Sequence, residues 1–430
     1  MSTVNTKINN YMDDVCSLVK NKKVHKEIKL ELRCHIQDLI DEYISCGMTE
    51  EESVNKALLE MGPPHIVGED LNKVHKANSD WMLIIFTTSI VLFGLYTLWF
   101  LQNSVSDNVN FAEKSIIYLL ISIFMSLIFI KIDFRNIKKY SKHIYIFSIA
   151  LMVFTLFTSP VINGTKSFIS IGGFSLRIPD IALFLLIISL AGIFDSYNWN
   201  NKKSLFKGIV LVFAPCLLFL LFPSIASLAL YFIAAFSIML LSGFKFRYML
   251  AASGALAIIL FGSVFYAHYR INRILAFLKP TSDPEGSTYV YNQILNLKNS
   301  ASIIGKQNGA ALSSLPEAHT DFVLTSIIYS FGWLVAIILS IVIAAFIVRI
   351  IFIGAKTRSS YGKLLISGIC ALFASQFIFC ILSALLLIPS LGFNMPFISY
   401  GGTSLLINIL AVSLINNIYK NRNIPYGLSV

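Results

Sequence analysis

The chain has 430 residues, of which 56% are hydrophobic and 13% are charged, and its mean hydropathy is +0.72. Soluble domains carry about 25% charged residues, so this composition excludes an ordinary soluble protein and predicts a polytopic membrane protein. The formal net charge of +11 does not indicate nucleic-acid binding, because most basic residues lie between apolar segments, where they set membrane topology.

Residues 1–78 are polar and mixed in charge, and they predict a small soluble domain. Apolar residues recur at helical spacing from Ile28 to Tyr43. Thr49 and Glu52 predict a capping box at the start of the following helix. We expect a cytoplasmic prefix domain of three or four helices. We also expect no cleavable signal peptide, so that the first membrane span acts as the insertion signal.

From Asp80 onward the chain contains ten apolar segments whose length suits membrane helices. The predicted fold class is therefore an all-α polytopic membrane protein, in which residues 79–430 form about ten transmembrane helices after the small N-terminal helical domain. The segments lie near residues 81–102, 115–132, 143–159, 180–197, 205–222, 224–242, 248–268, 321–348, 364–388 and 403–419.

Lysine and arginine are concentrated in alternate loops between these segments. By the positive-inside rule, the prefix domain, the basic loops and the C-terminus are predicted to be cytoplasmic. The long loop over residues 269–320 then lies on the extracytoplasmic side.

This long loop is the first place where chemistry is expected, because loops of such length are usually functional or disordered. Arg273, Lys279 and Lys306 could neutralise a phosphate or diphosphate at the membrane surface. Gly305 beside Lys306 allows a close backbone approach. The string "GKQNG" lacks the strand and helix that surround a nucleotide-binding P-loop, so ATP binding is not predicted.

The loop ends in "LPEAHTDFVL", which places titratable side chains directly before an apolar segment. Two interpretations remain open. Thr320 or Asp321 could cap the following helix and complement its dipole. Alternatively, Asp321 could act as a general base at the membrane surface, with His319 and Glu317 tuning it.

A second polar motif, "IPSLGFNMPFISYGGTSLL", precedes the last apolar segment. Its prolines and glycines cannot lie in one regular helix. A non-helical stretch at membrane depth is tolerated only where it is buried in protein or lines a cavity. The motif is therefore either a turn that packs the last span or the wall of a lipid-substrate groove that contains Ser399, Tyr400, Gly401 and Gly402.

A third motif, "IGGFSLRIPD", places Arg177 and Asp180 just before the fourth apolar segment. These residues could form a local ion pair at the membrane interface. In the alternative interpretation, Arg177 is a charged anchor for a substrate head group.

The strings "LPEAHTDFVL", "PFISYGGTSLL" and "FLKPTSDPEGSTYVYNQ" resemble the SEDS family (shape, elongation, division and sporulation; FtsW, RodA and SpoVE) over roughly residues 81–422. The resemblance implies a glycosyltransferase of the bacterial cytoplasmic membrane that polymerises lipid II during cell-wall synthesis, for cell shape, division or sporulation. It also implies a class B penicillin-binding protein as partner and Asp321 as the catalytic residue.

The chain departs from the family pattern at several polar positions. Where the family usually has an arginine, a glutamine and a lysine before and within the fourth span, this chain has Ser167, Arg177 and Leu183 as the nearest matches. Two glutamates that follow the HTDF string in the family are replaced by Tyr329 and Ser330. The prefix domain is similar to the permease-prefix or HAAS-type helical domains.

Three functions are compatible with these residues. The first is the lipid II polymerase, the second is a non-catalytic lipid II transporter (flippase) or scaffold for a penicillin-binding protein, and the third is a signalling receptor that uses the prefix domain. No cofactor is predicted, although a divalent cation would fit the chemistry. The six cysteines form no CxxC pair, so we expect free thiols and no metal site.

Overall fold

The computed structural model describes residues 2–74, 79–104, 110–160, 166–171, 174–222, 224–250, 253–254, 262, 271, 275–279, 283, 286, 288–305 and 310–422. The chain folds into two compact units. One contains the chain up to Ser79 with two short later segments, and the other extends from Asp80 to Asn417 except for Thr357–Ser359.

The first unit contains four helices around its own apolar core. Thr49 caps the third helix through the predicted capping box with Glu52, and Gly47 and Gly62 adopt positive φ where helices end. Val15, Ile36 and other apolar side chains of the first three helices are buried together, and the partly buried Val67 and Leu71 of the fourth helix pack against them. The helices are α1 (Ser2–Leu18), α2 (His25–Ser45), α3 (Glu50–Glu60) and α4 (Pro64–Val74), with a 3-10 turn at Lys22–Val24.

In its described residues, the second unit is almost entirely helical, with one two-stranded antiparallel hairpin. Its elements are α5 (Trp81–Ser104), α6 (Phe111–Lys131), α7 (Phe134–Lys139), α8 (Ser141–Thr158), β1 (Phe168–Ile171), β2 (Phe174–Arg177), α9 (Ile178–Phe194), α10 (Lys202–Leu221), α11 (Ile225–Leu241), α12 (Tyr289–Ser300), α13 (Val323–Phe331), α14 (Trp333–Lys356), α15 (Ser360–Ala384) and α16 (Gly402–Lys420).

Within the described residues, seven of these helices are long and apolar enough to cross a membrane, namely α5, α6, α8, α10, α14, α15 and α16. The helices α9 and α11 are apolar but have 17 residues each. The prediction of a polytopic all-α membrane protein is confirmed. Most of the predicted segment at 248–268 lies outside the described residues.

The predicted eighth span over residues 321–348 is wrong in its boundaries. The helix breaks at Gly332, which has a φ of 90°, so that α13 and α14 are separate. The N–H groups of Trp333 and Leu334 donate to the carbonyls of Ser302 and Ile303 at 3.2 and 3.1 Å. Backbone groups released by the break are therefore satisfied by a neighbouring segment.

Candidate functional site

A cavity of about 520 Å³ lies at one end of the helices of the second unit. This volume is within the range of small-molecule binding sites. The cavity wall combines residues of the string "LPEAHTDFVL", residues of the second motif, "IPSLGFNMPFISYGGTSLL", and the hairpin β1–β2. The lining residues are Tyr118, Ser167, Phe168, Ser175, Arg177, Asp180, Phe222, Ser224, Glu317, Thr320, Asp321, Leu391, Gly392, Asn394, Tyr400, Gly401, Gly402, Thr403 and Ser404.

Asp321 lies in a tight turn that precedes α13 and is half-buried in the cavity wall. Glu317 begins this turn with a φ of 55°, a conformation that non-glycine residues rarely adopt. Its carbonyl accepts hydrogen bonds from the N–H groups of Thr320 and Phe322 at 3.1 and 3.2 Å. The Thr320 hydroxyl also donates to the Glu317 carboxylate.

The structure corrects the prediction that Thr320 or Asp321 caps the helix. Phe322 occupies the N-cap position of α13 and provides no side-chain cap. The turn is closed instead by Ser326, whose hydroxyl donates to the Ala318 carbonyl at 2.9 Å. This arrangement leaves the carboxyl of Asp321 on the cavity wall rather than at the helix cap.

The motif at residues 389–402 holds this turn from the other side. The backbone N–H of Tyr400 donates to the His319 carbonyl at 2.8 Å. The Ser399 hydroxyl donates to the Thr320 carbonyl at 2.7 Å and accepts from the Met395 N–H at 2.8 Å. The carbonyls of the two residues that precede Asp321 are thus fixed by one loop, so the backbone of the turn is rigid.

Two predicted substrate-binding residues, His319 and Ser399, do not line this cavity. The imidazole of His319 stacks on Phe111 at 4.8 Å between ring centroids, with an interplanar angle of 9°, and its centroid lies 5.7 Å from that of Tyr400. Ser399 is engaged in the hydrogen bonds of the loop. Both residues therefore stabilise the turn without lining the cavity.

The paired glycines of the second motif pack differently. A β carbon on Gly402 would lie 2.2 Å from ring atoms of Tyr118 on α6, whereas one on Gly401 would meet its nearest neighbour, Ser404, at 3.5 Å. Gly402 therefore allows the Tyr118 ring to close one side of the cavity, and Gly401 faces more open space.

Arg177 enters the cavity from the end of β2. Its N–H donates to the Thr403 hydroxyl at 2.9 Å, and Thr403 donates to the Ser175 carbonyl at 3.4 Å. An Nη of Arg177 lies 3.8 Å from an Asp180 carboxylate oxygen. The predicted local ion pair is present, and Arg177 lines the cavity, while its role as an anchor for a substrate head group stays a prediction.

The three basic residues of the long loop that were predicted to bind phosphate are not among the described lining residues of the cavity. Arg273 and Lys306 lie outside the described residues. Lys279 is described and exposed, but it does not line the cavity. Gly305 makes the close backbone approach that its sequence predicts, yet the neighbour is the α13 end: a β carbon there would lie 2.1 Å from the Ser330 carbonyl oxygen.

Several lining residues were not predicted, above all Tyr118, Ser224, Asn394 and Thr403. Tyr118 and Ser224 are single polar side chains within or beside apolar segments, and their local spacing does not mark them. Asn394 and Thr403 lie within the second motif, but the motif does not say which of its side chains face the cavity. Position is the remaining signal, since Ser224 directly precedes α11 and Thr403 lies in the first turn of α16.

Comparison with known proteins places this chain in a family. A family model described as "Cell cycle protein", for FtsW, RodA and SpoVE, matches residues 78–424. The chain is 27% identical over 356 residues to the probable peptidoglycan glycosyltransferase FtsW of Aliivibrio salmonicida, a match that covers 79% of this chain and 88% of the relative. It is 30% identical over 365 residues to the protein of the same name from Borreliella burgdorferi, and this match covers 81% and 98%.

A solved structure supports the fold. The chain superimposes with a TM-score of 0.69 at 20% identity on a chain described under "Structural coordination of polymerization and crosslinking by a peptidoglycan synthase complex". The match covers 80% of this chain and 98% of that chain.

Proposed function

Because the chain belongs to the FtsW/RodA/SpoVE family, we propose that it is a membrane peptidoglycan glycosyltransferase that acts in cell-wall synthesis. One observation carries the proposal. The Asp321 carboxyl lines a cavity of about 520 Å³, next to helices that are apolar enough to cross a membrane. A carboxylate in this position can take up a proton from a sugar whose lipid tail remains in the bilayer.

The substrate proposed is lipid II, bound at the outer face of the bacterial cytoplasmic membrane. The alternating Lys and Arg content of the loops supports a cavity that opens to the outer face. By the positive-inside rule, it predicts that the N-terminal domain and the C-terminus are cytoplasmic and that the long loop before Asp321 is extracytoplasmic. Hydroxyl and amide groups line the cavity, as expected for a site that binds sugars, and they include Ser167, Ser175, Asn394 and Ser404.

In the proposed reaction, Asp321 is the general base. It accepts the proton of an acceptor-sugar hydroxyl, and that oxygen forms a bond to the anomeric carbon of the lipid-linked donor. The bond from this carbon to the diphosphate oxygen breaks, and the electron pair leaves with the isoprenyl diphosphate. General-base catalysis of this kind contributes about 10²–10⁴-fold to the rate.

Ser399 acts as a positioning residue for this base, because its hydroxyl donates to the Thr320 carbonyl in the turn that carries Asp321. His319 belongs to the same turn, where its carbonyl accepts from the Tyr400 N–H and its ring stacks on Phe111. Backbone strain at Glu317 and at Phe397, which have φ values of 55° and 67°, occurs in the same two loops. Strain of this kind concentrates at functional sites, where surrounding contacts hold it.

The proposed partner is a class B penicillin-binding protein, which would cross-link the polymer. The support is indirect and comes from the structural neighbour, whose description couples polymerisation to crosslinking in one complex. We propose that the partner stimulates the polymerase, so activity should be assayed with and without it.

Polymerisation of labelled lipid II by the purified protein tests the proposal. Asp321→Asn is expected to lower the rate by about 10²-fold or more, because it removes the base and keeps its size. Glu113→Gln is the matched control, since this exposed carboxylate in the first turn of α6 does not line the cavity. Normal polymerisation by Asp321→Asn would remove this residue from the mechanism. Lipid II transport or scaffolding without polymerisation by the wild type would favour the non-catalytic alternative.

A further inference from the structure

Two arginines of the second unit differ in how their guanidinium groups are paired. Arg349 is closely paired with Asp80: its Nε lies 3.1 Å from both carboxylate oxygens, and an Nη lies 2.6 Å from one of them. In Arg177, the nearest carboxylate oxygen belongs to Asp180 and lies 3.8 Å away, which is beyond hydrogen-bond distance. Its other contact is a long one of 3.5 Å to the Ser224 hydroxyl.

The backbone of Arg177, by contrast, is firmly fixed. It pairs with Phe168 in the hairpin and donates its N–H to Thr403 at 2.9 Å. A fixed backbone carries a guanidinium whose five donors have, among the described residues, no short partner. The side chain is 25% exposed and lines the cavity. The structure thus presents a cation with unused donors to whatever fills this space.

The charge of the cavity makes this cation significant. Among the described lining residues, Asp180, Glu317 and Asp321 are carboxylic acids, and Arg177 is the single arginine or lysine. An isoprenyl diphosphate that enters such a site meets an excess of negative charge. Binding therefore requires a cation with directed donors, and the planar guanidinium fork matches phosphate oxygens in pairs.

We propose that Arg177 binds the diphosphate of the lipid-linked donor and that Asp180 is the anion that this ligand displaces. The inference rests on the proposed function and names the group that recognises its leaving group. The guanidinium moves from the loose contacts with Asp180 and the Ser224 hydroxyl to the diphosphate oxygens. When the anomeric carbon–oxygen bond breaks, Arg177 stabilises the charge that develops on the diphosphate.

This arrangement predicts opposite effects for two neighbouring substitutions. Arg177→Gln removes the charge and the fork, so diphosphate binding weakens by roughly 10- to 100-fold. Arg177→Lys keeps the charge without the paired donors and gives a smaller loss. Asp180→Asn removes the competing anion, so binding tightens by about two- to fivefold. A purely structural role for the pair would instead weaken binding in all three variants.

The experiment measures binding of farnesyl diphosphate to the purified full chain in detergent, with EDTA present so that no metal ion bridges the phosphates. Farnesyl monophosphate, farnesol and inorganic pyrophosphate are the comparison ligands. We expect the diphosphate to bind tighter than the monophosphate and farnesol to bind least. Inorganic pyrophosphate should compete, yet more weakly than the lipid. Arg247→Gln is the matched control, because this exposed arginine lies outside the cavity.

Wild-type affinity in Arg177→Gln, weaker binding in a folded Asp180→Asn, or equal binding of farnesol would each overturn the inference. Tighter binding of inorganic pyrophosphate than of the lipid would overturn the assignment to a lipid diphosphate. Thermal unfolding measurements check that each variant is folded. If Arg177→Gln does not fold, the two single variants Arg177→Lys and Asp180→Asn provide the test. If the protein polymerises lipid II normally but its diphosphate binding does not depend on Arg177, this inference alone is wrong. If binding depends on Arg177 but no lipid II is polymerised, the proposed function alone is wrong.

Discussion

Gly392 lies directly against the carboxylate of Asp321. A β carbon at residue 392 would stand 3.3 Å from Oδ2 of Asp321, and the φ of Gly392 is 78°. The loop that contains Gly392 therefore determines how much room this carboxylate has in the cavity wall.

We predict that Gly392→Ala lowers lipid II polymerisation, because the added methyl group crowds the base. The left-handed backbone adds about 1–2 kcal/mol of strain. Gly243→Ala is the matched control, since Gly243 also has a positive φ, of 92°, but a β carbon there has no neighbour within 4 Å. The polymerisation rate should fall well below that of Gly243→Ala, at equal thermal stability of the two variants. Equal rates would show that crowding at Asp321 does not matter.

We expect alanine substitutions at the two adjacent glycines of the second motif to have different effects on stability. Gly402→Ala places a methyl group 2.2 Å from the Tyr118 ring, and overpacking of this kind costs about 1–3 kcal/mol. Gly401→Ala should be tolerated, because its nearest contact would be 3.5 Å. Thermal unfolding of each variant measures the difference. The destabilisation by Gly402→Ala should shrink in a Tyr118→Ala background, and an unchanged destabilisation there would contradict the packing argument.

The buried ion pair between Asp80 and Arg349 should be important for stability. The Asp80 side chain is fully buried, and it also accepts the Leu83 N–H at 2.8 Å at the start of α5. Asp80→Asn is expected to destabilise the protein by about 3–5 kcal/mol, because it leaves the Arg349 charge without its carboxylate. Joint replacement, Asp80→Asn with Arg349→Met, should recover part of the loss. Asp70→Asn, which breaks an exposed pair with Lys73, should change the unfolding temperature little.

The capping box of the first unit gives a pH-dependent prediction. The Thr49 hydroxyl, and then its N–H, lower the pKa of Glu52. A carboxyl with a lower pKa in the folded state stabilises that state above its unfolded pKa, near 4.3, and this contribution is lost as the pH falls. Thr49→Ala should therefore destabilise a fragment of residues 1–79 at pH 7, because it removes the hydroxyl that caps the helix. Urea denaturation should show a smaller difference at pH 3, and a larger one would contradict the assignment.

Much of the architecture could be predicted from local patterns. The capping box at Thr49 and the prefix helices follow from rules that act within one or two helical turns. The length of the apolar segments identified the membrane helices, because a segment must match the bilayer thickness by itself. The break at Gly332 was missed, because its cause is a distant segment, Ser302–Gly305, that pairs with the backbone there.

The candidate site was predicted in part. The strings around Asp321 and Tyr400 each indicated a functional surface, but their contact could not be inferred. Thr320 and Ser399 are 79 residues apart in sequence, and Arg177 and Thr403 are 226 apart. The role of His319 as a packed support rather than a cavity residue likewise depends on Phe111, which comes from another helix.

The sequence by itself therefore determined the membrane class and the helical domain at the N-terminus, since hydrophobic length and capping act locally. It marked Asp321 as a candidate base, and that role stays a prediction. The tertiary structure alone decided which polar side chains share one cavity, because helices remote in sequence bring them together. It also decided which of the two arginines is closely paired with a carboxylate among the described residues, with distances of 2.6 Å for Arg349 and 3.8 Å for Arg177.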